Sequence, residues 1–214
     1  IQLKFFTNPE QIDSIKAILA EIDVLYMTNK ICHSHFVHEI RWNNKEVEES
    51  RDGIDINTID LTPTERAGLI VAKNWNVTKH IKKWNLGNEF GKLSKKAIES
   101  SGALGLVIVP KFNAENYFNG GISIQKLWLA ATEKQLAFQP MSISSFLFTR
   151  ISDNNFDEIE DIKDDLVRLY NHFKIVCELN ENQHDIFLFR SEKAPEQKIK
   201  ALRRFTEDVL MYEE

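Results

Sequence analysis

The stretch Asn119–Ser142 limits the possible folds more than any other part of this chain. A Gly120-Gly121 pair is followed by seven apolar positions, namely Ile122, Ile124, Leu127, Trp128, Leu129, Ala130 and Ala131. A surface helix carries one apolar stripe, and this pattern is wider than a stripe. We therefore predict a central helix that is buried on most sides, which the chain enters by a sharp turn at the glycines. Leu136–Gln139 is predicted to form a short strand that Pro140 ends.

Other segments indicate a mixture of helices and strands in one domain, residues 1–214. The continuous apolar run Ala103–Val109 predicts a fully buried central strand. Asp185–Arg190 predicts the last strand. Capping boxes at Thr7–Glu10 and Thr62–Glu65 predict the starts of two helices. Because helices and strands do not alternate regularly, we predict an α+β fold, with a mixed sheet wrapped by helices around the central helix.

Composition narrows the function classes. The chain has 214 residues, of which 43% are hydrophobic and 28% are charged, as in ordinary globular proteins. A net charge of −5 disfavours a nucleic-acid partner, because no basic surplus exists to neutralise phosphates. Cys32 and Cys177 form no disulfide framework or zinc pattern, so we expect a reducing, cytoplasmic setting. No apolar run reaches the roughly 18 residues of a membrane span, so no membrane partner is expected.

Several pieces of the sequence resemble the FMN-dependent nitroreductase fold. The segment GGISIQKLWLAATEKQLAFQPMS is similar to the central helix and following strand of that fold. HSHFVHEIRW and ESRDGIDINTIDLT are similar to a segment of its divergent branch, in which two modules stand in tandem, sometimes beside an E1-like adenylylating domain. DIFLFRSEKAP and LRRF resemble the C-terminal strand and basic end of that branch.

The resemblance implies a function and partners. Modules of this fold usually pair, with FMN bound where they meet, so a homodimer or a pseudo-dimer with an N-terminal module is expected. The chain begins at Ile1 rather than Met and looks like the C-terminal module of a longer protein. NAD(P)H would reduce the flavin, and an electron-poor acceptor would reoxidise it. No side chain is a convincing catalytic acid or base, so the cofactor would supply the redox chemistry.

Arg203 and Arg204 are the first candidates for contact with the cofactor. By resemblance, the pair falls where the nitroreductase fold places a basic residue against the FMN phosphate. A guanidinium group suits a phosphate because it can bind through two prongs. The alternative is a solvated basic stretch in a tail that also contains Lys198 and Lys200.

Gln139, Pro140, Met141 and Ser142 are the second candidates. By resemblance, this segment passes along the flavin ring and touches it through backbone amides. Such amides stabilise negative charge on the reduced ring or form hydrogen bonds near its N5 atom. The alternative is a strand that ends at proline, with Met141 in the core.

Gly120 and Gly121 are the third candidates, because a helix start can bind a phosphate. The pair is not part of a GxGxxG motif and no Walker lysine follows, so a tight turn into a buried helix is the favoured interpretation.

His35, His38 and Glu39 share one helix face, but they do not form an HExxH motif, and we predict a polar surface rather than a metal site. Arg51-Asp52-Gly53 is predicted to close a loop.

Two family segments are missing from this sequence. It has no arginine-rich Arg-Arg-Ser start for the FMN phosphate and no Asn-x-Gln-Pro-Trp segment beside the flavin. In tandem relatives the other module can supply these elements, so this chain alone is expected to hold half a site. The leading expectation is an FMN-binding oxidoreductase of nitroreductase type. The alternatives are a flavin-sequestering protein, or a flavin-free structural module that serves an adenylylating domain.

Overall fold

The protein is described by a computed structural model that covers residues 1–84, 86–195 and 199–211. Helices and strands are mixed without regular alternation, which confirms the α+β class. The strands are β1 Gln2–Phe6, β2 Ile40–Arg41, β3 Ile54–Asp55, β4 Ala103–Val109, β5 Ala137–Pro140 and β6 His184–Glu192. The helices are α1 Pro9–Thr28, α2 Lys30–Glu39, α3 Asn44–Ser50, α4 Pro63–Ala72, α5 Trp75–Lys83, α6 Lys92–Glu99, α7 Ala114–Glu133, α8 Ser142–Ser152, α9 Lys163–Val176 and α10 Thr206–Val209.

Local sequence explains where two of these helices, α1 and α4, begin. Thr62 accepts a hydrogen bond from the Glu65 amide while the Glu65 carboxylate accepts one from the Thr62 amide, so the predicted capping box at α4 is confirmed. At α1 the cap is Asn8 rather than Thr7. Pro9 occupies the first helical position there, and its fixed φ suits that position.

The four longer strands form one sheet in the order β1-β4-β6-β5 within the described residues. Each neighbouring pair is antiparallel, so the prediction of a mixed sheet is wrong for this layer. The reason lies in the connections. The β4–α7–β5 crossover returns β5 in the same direction as β4, but β6 inserts between the two strands and runs opposite to both. Among the residues that the structure describes, parallel pairing occurs between the two-residue strands β2 and β3.

The sheet has two apolar faces. On one face, Leu104, Leu106 and Leu188 join the main core, which α1, α8 and α9 complete. On the other face, Val107 and Phe189 belong to a smaller cluster that α7 covers. The central strand β4 is therefore buried on both sides, and its predicted bounds are confirmed.

Helix α7 is not buried on most sides, and this prediction is wrong. Ile124 and Leu127 face the sheet, but Phe118 is 72% exposed and Leu129 is 59% exposed on the opposite side of the helix. The physical reason is that α7 packs against one sheet face only. The remaining large helices, α1, α8 and α9, cover the other face.

Gly120 and Gly121 lie inside α7 and not at its start, which corrects the predicted turn. The helix begins six residues earlier, where the Asn113 side chain accepts a hydrogen bond from the Asn116 amide at 2.8 Å. Gly120 instead allows close packing, since a Cβ atom added there would lie 2.0 Å from Ile186 Cδ1. The glycine thus lets α7 approach β6 closely.

This close approach predicts that two glycine-to-alanine substitutions change the stability of the fold differently. Gly68→Ala lies in α4 with open space around the added carbon, so it should stabilise the fold by about 1 kcal/mol through helix propensity. Gly120→Ala gains the same propensity but crowds Ile186, so it should be less stable than Gly68→Ala by about 1–3 kcal/mol. Urea unfolding measures both. Equal gains from the two changes would contradict the packing of α7 on β6.

Candidate functional site

The predicted ring-contacting segment lies where β5 passes into α8. Gln139 Oε1 accepts a hydrogen bond from Arg190 Nε at 2.6 Å, and Pro140 is the last residue of β5. The Met141 amide donates to the Leu188 carbonyl at 2.9 Å. Ser142 is the first residue of α8, a helix without a side-chain cap at its N-terminus. The α8 amide end of this segment therefore remains to face a ligand.

The predicted phosphate-binding arginines lie in a tail that is fastened to the Arg51-Asp52-Gly53 turn. Arg204 Nη2 lies 2.8 Å from Asp52 Oδ2, and Arg41 Nη2 lies 2.6 Å from Asp52 Oδ1. Arg51 Nε donates to the Arg203 carbonyl at 2.8 Å. Asp52 thus closes a loop, as predicted, but the guanidinium groups that pair with it belong to Arg41 and Arg204 and not to Arg51 of the same turn.

The two arginines determine the protonation state of the Asp52 carboxyl in this junction. Hydrogen bonds from Arg41, and then from Arg204, lower the pKa of the Asp52 carboxyl to about 2. Asp52 is therefore ionised at neutral pH and competes with any phosphate for the Arg204 guanidinium. Arg203 is exposed, and its guanidinium group is less engaged by the protein than that of Arg204.

The histidine face has no arrangement suited to a metal. His33 is buried, and its Nε2 atom lies 2.8 Å from the Ala72 carbonyl, while His35 and His38 are exposed. Among the described residues, no three His, Cys, Asp or Glu side chains come close enough together to hold an ion. His33 is a hydrogen-bonded core residue that joins α2 to the end of α4.

An open cleft of about 890 Å³ lies between α2, the start of α7 and α8. We call it the α7–α8 cleft. Its walls are Tyr26, Cys32, His35, Phe112, Asn113, Ala114, Tyr117, Phe146, Leu147, Thr149, Arg150, Asp153 and Asn155. None of the eight predicted cofactor residues lines it. Sequence analysis missed this cleft because its walls come from three distant segments, and because the exposure of Phe146 is visible only in the folded chain.

The eight predicted residues fit FMN only in part within one chain. The side chain of Gln139, the amide of Met141 and the guanidinium of Arg204 already have partners inside the protein. The Ile186 side chain lies directly against Gly120, which leaves no space for a ligand there. Arg203 and the α8 amide end at Ser142 remain, and these are too few groups to enclose a flavin nucleotide.

Comparison with known proteins finds one relative without an assigned function. The uncharacterized protein MT1398 of Mycobacterium tuberculosis (strain CDC 1551 / Oshkosh) is 26% identical over 204 residues. The match covers 95% of this chain but 28% of the relative, so the chain spans less than a third of that protein's length. No protein-family profile matches the chain, and no solved structure matches it. None of the helices in the described ranges is long and apolar enough to cross a membrane.

The junction predicts that Asp52 holds the tail in place. Asp52→Asn removes the charge that pairs with Arg41 and Arg204, so trypsin should cleave after Arg203 or Arg204 several times faster. Asp60→Asn is the matched control, because Asp60 pairs with Lys96 instead of the tail. Equal cleavage rates in the two variants would show that Asp52 does not fasten the tail.

The same junction predicts a pH window. A carboxyl with a lowered pKa stabilises the fold above its ordinary pKa, near 4, and loses that contribution as the pH falls toward 2. The tail should therefore stay docked at pH 5 and detach below about pH 3 in the wild type. Hydrogen exchange of residues 206–209 across this range measures the change. Loss of protection already at pH 5 would contradict it.

Proposed function

We propose that this chain is one half of a paired flavoprotein of the nitroreductase type. The outer face of α7 joins it to a second copy, and in a longer polypeptide a related module takes the place of that copy. FMN is held between the halves, where it supplies the redox chemistry that carries electrons from NAD(P)H to an electron-poor acceptor. Arg203 contacts the phosphate and the α8 amide end contacts the ring, while the other half completes the site.

The apolar outer face of α7 is the observation that carries this proposal. Phe118, Ile122, Gln125 and Leu129 form one stripe along the helix, at spacings of four, three and four residues, and all four are exposed. No member of the stripe is charged, so an identical copy meets it without like-charge repulsion. A helix with apolar residues on two opposite sides is expected to be covered on both.

The sheet beside α7 offers further apolar surface. Leu3 and Phe5 of β1 lie on the same sheet face as Val107 and Gly105, their register partners on β4. Phe5 is nevertheless 51% exposed, because α7 packs over β4, β5 and β6 instead of β1. The uncovered strip over β1 gives a partner's helix a place beside α7.

A second candidate is favoured by the contacts already made inside the chain. Because Gln139, Met141 and Arg204 are engaged, the chain is also suited to be a flavin-free structural module that pairs without holding a cofactor. Such a module would stand beside other domains in a longer protein, for example an adenylylating domain. A pairing surface is common to both candidates, so flavin binding separates them.

If the outer face of α7 joins two copies, one charge placed on it should weaken dimer formation. Leu129→Glu places a carboxylate at the stripe, and its desolvation should weaken pairing at least about tenfold. Ile175→Glu is the matched control, since Ile175 is 75% exposed on α9, on the other side of the sheet. Light scattering of both variants and the wild type across the micromolar range gives the mass. A wild type that stays monomeric throughout would contradict pairing with a second copy.

Flavin retention is tested on the same samples. The wild type is mixed with FMN, desalted and examined for flavin absorbance, and Arg203→Ser should retain several times less flavin than the wild type. NADPH oxidation with a quinone is then compared with the rate of free FMN. Pairing without retained flavin would favour the structural module, and retained flavin with no rate gain would favour sequestration.

A further inference from the structure

Four aromatic side chains make the α7–α8 cleft suited to a flat ligand. Tyr26, Phe112, Tyr117 and Phe146 all line it. The Phe112 and Tyr117 rings meet edge to face at 5.6 Å and form one wall. Phe146 lines the cleft but is 68% exposed, so its ring face is open to stacking.

The hydrogen bonds of the cleft leave an acceptor directed at a ligand. Thr149 Oγ1 donates its one proton to the Ser145 carbonyl at 2.8 Å. Tyr117 must therefore be the donor in its 3.0 Å contact with Thr149 Oγ1. The Tyr117 oxygen keeps its lone pairs for a donor on a ligand.

The cleft also holds hydrogen-bond donors, and its arginine is already paired with a carboxylate. The Asn113 side-chain oxygen caps α7, which leaves the amide N–H groups of that side chain for a ligand. Arg150 forms an ion pair with Glu158, so its positive charge is compensated. Asp153 adds one exposed carboxylate. A strongly anionic ligand gains little here, whereas a neutral ring with both donors and acceptors is matched.

The cleft contains no activated nucleophile. Cys32 is buried at its floor, and desolvation raises the pKa of the thiol to about 11, so the thiol stays protonated at neutral pH. Burial likewise raises the pKa of the Tyr26 hydroxyl to about 12. These groups suit binding rather than covalent chemistry.

From these features we propose that the α7–α8 cleft binds a neutral, planar heteroaromatic ring that carries hydrogen-bond donors and acceptors, as a nucleobase or nicotinamide does. The ring stacks on Phe146, and its N–H group donates to the Tyr117 oxygen. The volume of about 890 Å³ lies within the range of small-molecule sites. The proposal does not depend on the flavin site, because no predicted flavin residue lines the cleft.

Saturation-transfer NMR on the full chain tests this with adenosine, nicotinamide and cyclohexanecarboxamide, the last of which has the same amide on a saturated ring. Adenosine and nicotinamide should bind and the saturated analogue should not. Phe146→Ala should weaken binding at least about fivefold, and Tyr117→Phe should weaken adenosine about threefold. Trp84→Ala is the matched control, since Trp84 is an exposed aromatic residue that lies neither in the cleft nor on the outer face of α7.

Each outcome decides the proposal. Binding of the aromatic probes that Phe146→Ala weakens and Trp84→Ala leaves unchanged supports the proposal. The probe that binds more tightly separates a nucleobase from a nicotinamide source. No binding at millimolar concentration, equal binding of cyclohexanecarboxamide, or insensitivity to Phe146→Ala overturns it. All three variants change exposed side chains, so circular dichroism should show the wild-type fold.

Discussion

The contact of α7 with the antiparallel sheet is the interaction on which the rest of the structure depends. Gly120 brings the helix close to Ile186, and Trp128 meets Phe138 at 4.9 Å, which in turn stacks on Phe189 at 4.5 Å. This aromatic cluster fixes the helix over one sheet face, while the main core occupies the other. The direction of β5, the start of α8 and the position of the α7–α8 cleft all follow from where α7 lies.

In the proposed function, the placement of α7 also accounts for a flavin site that one chain leaves incomplete. A helix on one sheet face has two sides, and the sheet covers only one. In that proposal, the exposed outer stripe from Phe118 to Leu129 needs a partner, and so do the exposed residues Arg203 and Ser142. One second module would satisfy both needs, which is why pairing and flavin binding belong to a single account.

The parts of the fold that local sequence determines were predictable. A continuous apolar run makes Ala103–Val109 a strand buried on both faces, and a hydroxyl with a carboxylate three residues on starts α4 at Pro63. The exposure of α7 was not predictable, because exposed apolar residues look the same in sequence as buried ones. The link from Arg204 to Asp52 spans 152 residues, so only the folded chain brings the two together.

The most direct test of the account is cross-linking through the outer face of α7. The native thiols Cys32 and Cys177 are buried, so a cysteine introduced on the surface is the reactive one. Treated with a short bis-maleimide at micromolar concentration, Gln125→Cys should form a covalent dimer rapidly, and Gly68→Cys on α4 should remain monomeric. If Gln125→Cys cross-links no faster than Gly68→Cys, α7 does not pair with a second copy.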